Sequence, residues 1–253
     1  MNTLPVRRPW QGMFQIVRFN WQFYFATVAS VGIGLIALPL LPPAAGAIMF
    51  FFLAPSLFWT VSSLLVSHFV YDVFPLYDMR WIARALSHAP RRWANIHNGF
   101  DETSPGLSLV FPNAVGETVD IFDPHVMTEK SIQRARQLKL CATPSLQARY
   151  DALPFRSDSM DAVFSIFVAH ELRRHHQRIA LFREIGRILT SDGEFVLVEH
   201  LRDWRNFLAF GPGFLHFFSQ PAWRNAASDA HLALRTDFSL TPFVHVYVFR
   251  RVL

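Results

Sequence analysis

An α/β domain standing behind a two-helix transmembrane hairpin is the architecture this sequence predicts, and three observations predict it. Residues 19–71 contain no Asp, Glu, Lys or Arg, although the chain of 253 residues carries 24 Lys and Arg and 19 Asp and Glu. From about residue 90 onward, short apolar runs alternate with helical stretches, the pattern of βαβ units and a parallel sheet. Phe195-Val196-Leu197-Val198 is a nearly continuous apolar run, which marks a strand covered on both faces.

The composition agrees with a division between lipid and water. The chain is 51% hydrophobic with 26 phenylalanines and only 17% charged, against about 25% for an ordinary soluble domain. Its mean hydropathy is +0.20. The single cysteine, Cys141, excludes an intrachain disulfide, and without CxxC or Cys/His spacing no ordinary zinc site is expected. His175 and His176 are adjacent, project in different directions on a helix, and read with Arg173 and Arg174 as a basic patch and not a metal site. A net charge of +5 could signal nucleic acid, but many of the arginines flank the apolar run, where anionic lipid headgroups account for them; no nucleic-acid partner is expected.

A membrane-spanning helix needs about 20 apolar residues, and the uncharged run holds two such lengths separated by Pro42-Pro43. The first runs from Trp21 to Leu41 and the second from Ala44 to about Tyr71, with Trp21, Tyr24, Trp59, Tyr71 and Tyr77 at interfacial depths. The proline pair and Gly46 suit the reversal. Arg7, Arg8 and Arg18 precede the first span, and Arg80, Arg84, Arg91 and Arg92 follow the second, so both termini and the soluble domain are expected in the cytoplasm. A cleaved signal peptide, with an apolar region of about 7–15 residues, is too short to explain the run. The expected organisation is a cytoplasmic segment over 1–18, the hairpin over 19–71, a basic connector along the headgroups over 72–92, and an α/β domain over 93–253.

Within that domain, Ile179, Leu181, Phe182, Ile185, Ile188 and Leu189 recur at helical spacing while Arg183, Glu184 and Arg187 take the other face. The spacing predicts an amphipathic helix over 175–189, closed by Ser191-Asp192-Gly193 and feeding the apolar strand. On these segments a resemblance becomes specific. LPFRSDSMDAVFSIFVAHEL (153–172) and REIGRILTSDGEFVLVEH (183–200) resemble the surroundings of strands four and five in class I S-adenosylmethionine-dependent methyltransferases, with Met160 in place of the usual Phe. LALRTDFSLTPFVHVYVFRR (232–251), with Val244, Val246 and Val248 alternating, is similar to the antiparallel hairpin that closes the family's sheet. The resemblance covers roughly residues 90–251 and implies a Rossmann-like, mostly parallel sheet with S-adenosylmethionine as cofactor.

The family's cofactor loop reads close to GxGxG, since glycine lets backbone approach the ligand. Here the sequence is ANIHNGFDET (94–103): Asn95 stands for the usual acidic residue, His97 and Asp101 for the outer glycines, and Gly99 alone keeps a glycine position. In ETVDIFDP (117–124) the resemblance puts the ribose-binding carboxylate on Asp123, with Asp120 as its rival, and Asp151 is the stand-in for the acidic residue near the adenine. Methyl transfer requires an aligned nucleophile and, for O or N acceptors, a base. His170 and Glu171 close the fourth strand and Glu199 and His200 the fifth, at the edge where open α/β sheets bind ligands; His170 is the first choice for the base. Phe207, Phe210, Phe214, Phe217 and Phe218, interrupted by Gly211-Pro212-Gly213, form a greasy stripe that is either a packed helix or a lid for a substrate from the bilayer. The expected function is a membrane-anchored methyltransferase acting on a hydrophobic small molecule, lipid or quinone-like. The rival reading, motivated by the altered loop, is an inactive pseudo-methyltransferase serving as a tethered binding module.

Overall fold

The computed structural model of the chain describes residues 7–137 and 144–252; Cys141 lies outside them. An amphipathic helix α1 (Gln11–Phe19) opens the described chain. Two apolar helices follow, α2 (Trp21–Ala37), prolonged by one 3₁₀ turn, and α3 (Pro43–His68). Pro42 is extended at φ −57°, ψ 150°, and Pro43 is the first residue of α3, where its missing amide costs nothing. Both helices are long and apolar enough to cross a membrane, and nearly all of their side chains are unburied.

The segment from α3 to the domain departs from the expected surface connector. After a π turn at Phe69–Val73 and a short helix α4 (Ile82–Ala85), Val70, Leu76, Met79, Ile82 and Ala85 are fully buried. The arginines there signalled headgroups, but the apolar residues between them cover one face of the sheet.

That sheet has seven strands: β1 (Arg92–His97), β2 (Val115–Asp120), β3 (Leu146–Gln147), β4 (Met160–Ile166), β5 (Leu189–His200), β6 (Leu232–Thr241) and β7 (Val244–Arg251). Their order is β3-β2-β1-β4-β5-β7-β6, parallel through β5, with β7 antiparallel between β5 and β6. Helices α5 (Ser104–Val110), α6 (Lys130–Gln137), α7 (His175–Ile188), α8 (Trp204–Phe210) and α9 (Gln220–Asp229) complete the chain. The predicted helix is present as His175–Ile188, as are the strand at 195–198 and the closing antiparallel pair, whereas Ser191-Asp192-Gly193, expected to close the helix, lies within β5.

Alternation along β5 decides what each face carries. Phe195 and Leu197 pack with Leu181, Phe182 and Ile185 of α7 and Trp223 of α9. Val196 and Val198 point the other way, onto Trp81, Ile82 and Phe164. Glu199 therefore shares the α7 face and His200 the face of the buried connector. The strand order reverses between β1 and β4, so the ligand crevice of such a sheet lies over the carboxyl ends of those two strands.

Candidate active site

Two clusters of polar side chains stand at that edge. The first surrounds the loop after β1. Asn95 is buried in the strand and its amide donates to Asp101 Oδ1 at 3.2 Å and to the hydroxyls of Thr103 and Ser104 at 2.8 Å. Asp101 also accepts from the backbone amides of Thr103 and Ser104, both at 3.0 Å, which turns its carboxylate back into the loop at the start of α5. His97 Nδ1 accepts from the Gly99 amide at 2.9 Å, so its Nε2 carries the proton donated to Ser145 Oγ at 2.8 Å. Burial holds the His97 pKa below its ordinary value. Gly99 has φ +90°, a conformation that penalises a side chain, and an added Cβ would collide with the guanidinium of Arg136.

The second strand ends at Asp120, not at Asp123. Asp120 pairs in register with His97 and is 4% exposed. Its carboxylate accepts from Arg136 at 2.8 Å, from Gln147 at 3.1 Å and from the Phe122 amide at 3.0 Å. Asp123 lies in the following turn, three residues beyond the strand end where the sequence placed it, and accepts from the His125 amide. The apolar match of Val119 and Phe122 was the reason for that choice, but the sheet ends sooner than the apolar pattern. Asp151 is held by a bidentate pair with Arg149 at 2.8 and 2.7 Å beyond the short β3.

Helix α1 covers this loop. Arg7, Gln11 and Gln15 all donate to Glu102, at 2.7, 3.3 and 3.1 Å, and Phe19 packs edge-on against Phe100 with ring centroids 5.5 Å apart. The Gly12 and Met13 amides at the start of α1 donate to Asp72, at 2.6 and 3.0 Å, tying it to the end of the hairpin.

The second cluster joins His170, Glu171 and Glu199. His170 and Glu171 sit on a 3₁₀ turn after β4. His170 Nδ1 lies 2.7 Å from Glu199 Oε2, and its Nε2 lies 3.5 Å from Glu171 Oε1. Burial pushes the His170 pKa down, but the two carboxylates outweigh it and raise the pKa to about 10. The raised pKa favours the imidazolium, the form that orients and neutralises the two carboxylates. Burial acts to raise the Glu171 pKa, and the facing imidazolium reverses it, leaving the carboxyl below its ordinary value.

His216, which the sequence did not single out, completes the cluster; its ring is edge-on to His170 at 5.1 Å. Burial and the neighbouring His170 cation lower its pKa to about 3.

His200 does not join its sequence neighbour Glu199. Its Nδ1 donates to the Phe243 carbonyl at 2.8 Å, so Nε2 accepts the Tyr71 hydroxyl at 2.8 Å. Phe167 and Phe217 stack on the ring at 5.0 and 4.9 Å, and Phe210 meets it edge-on. With both nitrogens partnered, His200 locks the end of the hairpin segment to β5, and burial lowers its pKa to about 4. The phenylalanine stripe divides: Phe210 and Phe217 wall His200, whereas Phe207 of α8 packs edge-on against Trp59 of α3 at 5.3 Å.

An adenosyl ligand can be tested against the first cluster. A buried carboxylate at the end of β2, a glycine at positive φ just after β1 and the Oδ1 of buried Asn95, without a partner among the described residues, are a suitable set of groups. The space between them is taken by Arg136, whose guanidinium also donates to the Asn98 carbonyl at 2.8 Å and lies over the Phe122 ring at 4.1 Å. The groups fit; the ligand enters only if this one long side chain leaves.

Residues 111–197 match the family described as "Methyltransferase domain", a span that begins after the loop of residues 97–103. An "Uncharacterized methyltransferase YcgJ" from Bacillus subtilis (strain 168) is 28% identical over 119 residues, 47% of this chain; the chain spans only 44% of that relative's length. Among solved structures, a SAM-dependent methyltransferase from Aquifex aeolicus aligns with TM-score 0.53 at 16% identity, covering 70% of this chain and 91% of that one. Geranyl diphosphate C-methyltransferase from Streptomyces coelicolor A3(2) aligns with TM-score 0.52 at 13% identity, covering 76% and 84%. At such identities the structural likeness speaks for the fold. The sheet therefore has the fold of class I methyltransferases, residues 111–197 within it match the methyltransferase-domain family, and the comparisons support S-adenosylmethionine as cofactor.

Proposed function

We propose that the chain is a membrane-anchored S-adenosylmethionine-dependent methyltransferase acting on a hydrophobic small molecule, lipid or quinone-like. The observation that carries the reading is the convergence of His170, Glu171 and Glu199 at the carboxyl edge of the sheet, beside the crevice between β1 and β4. The cofactor supplies an electrophilic methyl group. Asp120 offers its carboxylate to the ribose hydroxyls and Gly99 gives the close backbone approach, once Arg136 has withdrawn. Glu171, 5% exposed and with Oε2 unpartnered among the described residues, receives the acceptor's proton. Glu199 holds the His170 ring beside it.

The apolar acceptor is supported by the way the hairpin meets the domain. Trp59 packs on Phe207, and the Ser62 hydroxyl of α3 donates to the Leu208 carbonyl of α8 at 3.1 Å. An apolar groove of about 720 Å³, lined by Val31, Leu35, Leu53, Leu57 and Val61 among others, runs between α2 and α3. A bilayer around the hairpin puts lipid-soluble molecules within reach of α8, and both chain ends then lie on the cytoplasmic side.

A second reading, an inactive tethered module, draws on one observation: the Arg136 guanidinium already pairs with Asp120 where the ribose would sit. Full-length protein in micelles, given methyl-labelled S-adenosylmethionine and either a lipid extract or a water-soluble extract, separates the two. Label passing to organic-soluble product supports the enzyme, and its loss in Glu171→Gln ties it to this site. No transfer to either extract supports the inactive module.

A further inference from the structure

We propose that His170, Glu171 and His216 form a binding site for one divalent transition-metal cation of the zinc class. One ligand atom from each of the three side chains lies within 4.8 Å of the others. Two imidazoles and one carboxylate are the donor set that catalytic zinc and related cations take, with positions left open for water or substrate.

Three further features point to a cation. Glu171 is buried, and its Oε2 has no hydrogen-bond partner among the described residues, a cost that a cation would remove. Glu199 grips His170 through Nδ1 at 2.7 Å, which turns Nε2 toward Glu171; a carboxylate behind a histidine is the usual support of a metal ligand. Arg173 donates to the carbonyls of both His170 and His216, at 3.0 and 2.6 Å, and so fixes the two turns that carry the imidazoles relative to one another. Glu129, 3.9 Å from His216 Nδ1, adds a third carboxylate to set against the charge of Arg173.

The inference goes beyond methyl transfer and does not depend on it. A cation displaces the Nε2 proton that His170 carries in the metal-free protein and occupies the Glu171 oxygen that otherwise receives a proton, so the two uses of the cluster exclude one another.

The test uses the full chain in micelles, stripped with chelator and titrated with Co²⁺ alone and then Zn²⁺, without S-adenosylmethionine. One Co²⁺ per chain is expected, with a visible d–d absorption that Zn²⁺ abolishes. His216→Ala, in an outer turn, and His170→Ala should each weaken binding at least about 100-fold, and Glu199→Gln about 10–100-fold, as removal of an outer support does. His175→Ala, exposed at the start of α7 and paired with Asp229, should leave it unchanged. Thermal unfolding without metal identifies any variant that fails to fold, and Zn²⁺ should raise the midpoint of wild type but not of folded His216→Ala. No stoichiometric Co²⁺ on wild type, or binding that persists in folded His216→Ala and Glu171→Gln, overturns the proposal.

Discussion

Arg136 and Asp120 close the ends of β1 and β2 against each other: Nη1 of the guanidinium donates both to the carboxylate, at 2.8 Å, and to the Asn98 carbonyl, at 2.8 Å. The arrangement exists because Gly99 presents no side chain at φ +90°. Gly99→Ala places a methyl group against the guanidinium and strains the backbone, and should cost about 1–2 kcal/mol in chemical denaturation. Arg136→Ala in the same background removes the collision and should recover part of that loss, leaving the strain. Full stability in Gly99→Ala alone would show that the guanidinium does not rest there.

The histidines predict a stability optimum. In metal-free protein, the His170 pKa is raised to about 10, so the stability from its pairing is complete below about pH 6.5 and is lost as pH rises toward 10. His200 and His216 are depressed to about 4 and 3. The unfolded chain then takes up protons that the fold refuses, and their contribution, complete above about pH 6.5, declines as pH falls below it. Thermal midpoints recorded in chelator should peak near pH 6.5, and His170→Gln should flatten the limb between pH 7 and 9 and, by removing the cation beside His216 and His200, make the acid limb shallower.

Tyr71→Phe removes the only donor to His200 Nε2 among the described residues and leaves a buried acceptor unpaired. A loss of about 1–3 kcal/mol is expected. Because Tyr71 belongs to the segment leaving α3 and His200 to β5, the variant should also increase proteolysis in residues 69–86. Unchanged stability and cleavage would mean that the contact does not fasten hairpin to sheet.

Membrane insertion has its own readout. The chain should stay with membranes through alkaline carbonate extraction, and tags at both ends should be accessible from the same side. Extraction into the supernatant, or tags on opposite sides, would contradict the hairpin.

What the sequence disclosed follows from physical locality. β5, α7 and the β6–β7 pair were legible because burial on a periodic element writes a period of two or about 3.6 into the chain. Pro42 and Pro43 punctuate the break between the apolar helices in the same local way. Helix α1 was hidden because its Gln11 and Gln15, with Arg7 ahead of it, face Glu102, a partner some ninety residues away. The buried connector was hidden behind its arginines. At the site, alternation already separates Glu199 from His200, although no local signal says that His216, after a Gly-Pro-Gly turn, returns to His170. Arg136 carries no motif either: only the fold brings it to Asp120, and no local signal marks that β2 stops there, three residues short of Asp123.

Calorimetry of S-adenosylmethionine binding to the full-length protein bears most directly on the reading of this domain as a cofactor-dependent enzyme. The account predicts that Arg136→Ala binds at least about tenfold more tightly than wild type, and that Asp120→Ala abolishes binding. No heat from either wild type or folded Arg136→Ala at millimolar ligand would contradict it, and would leave a methyltransferase fold without its cofactor.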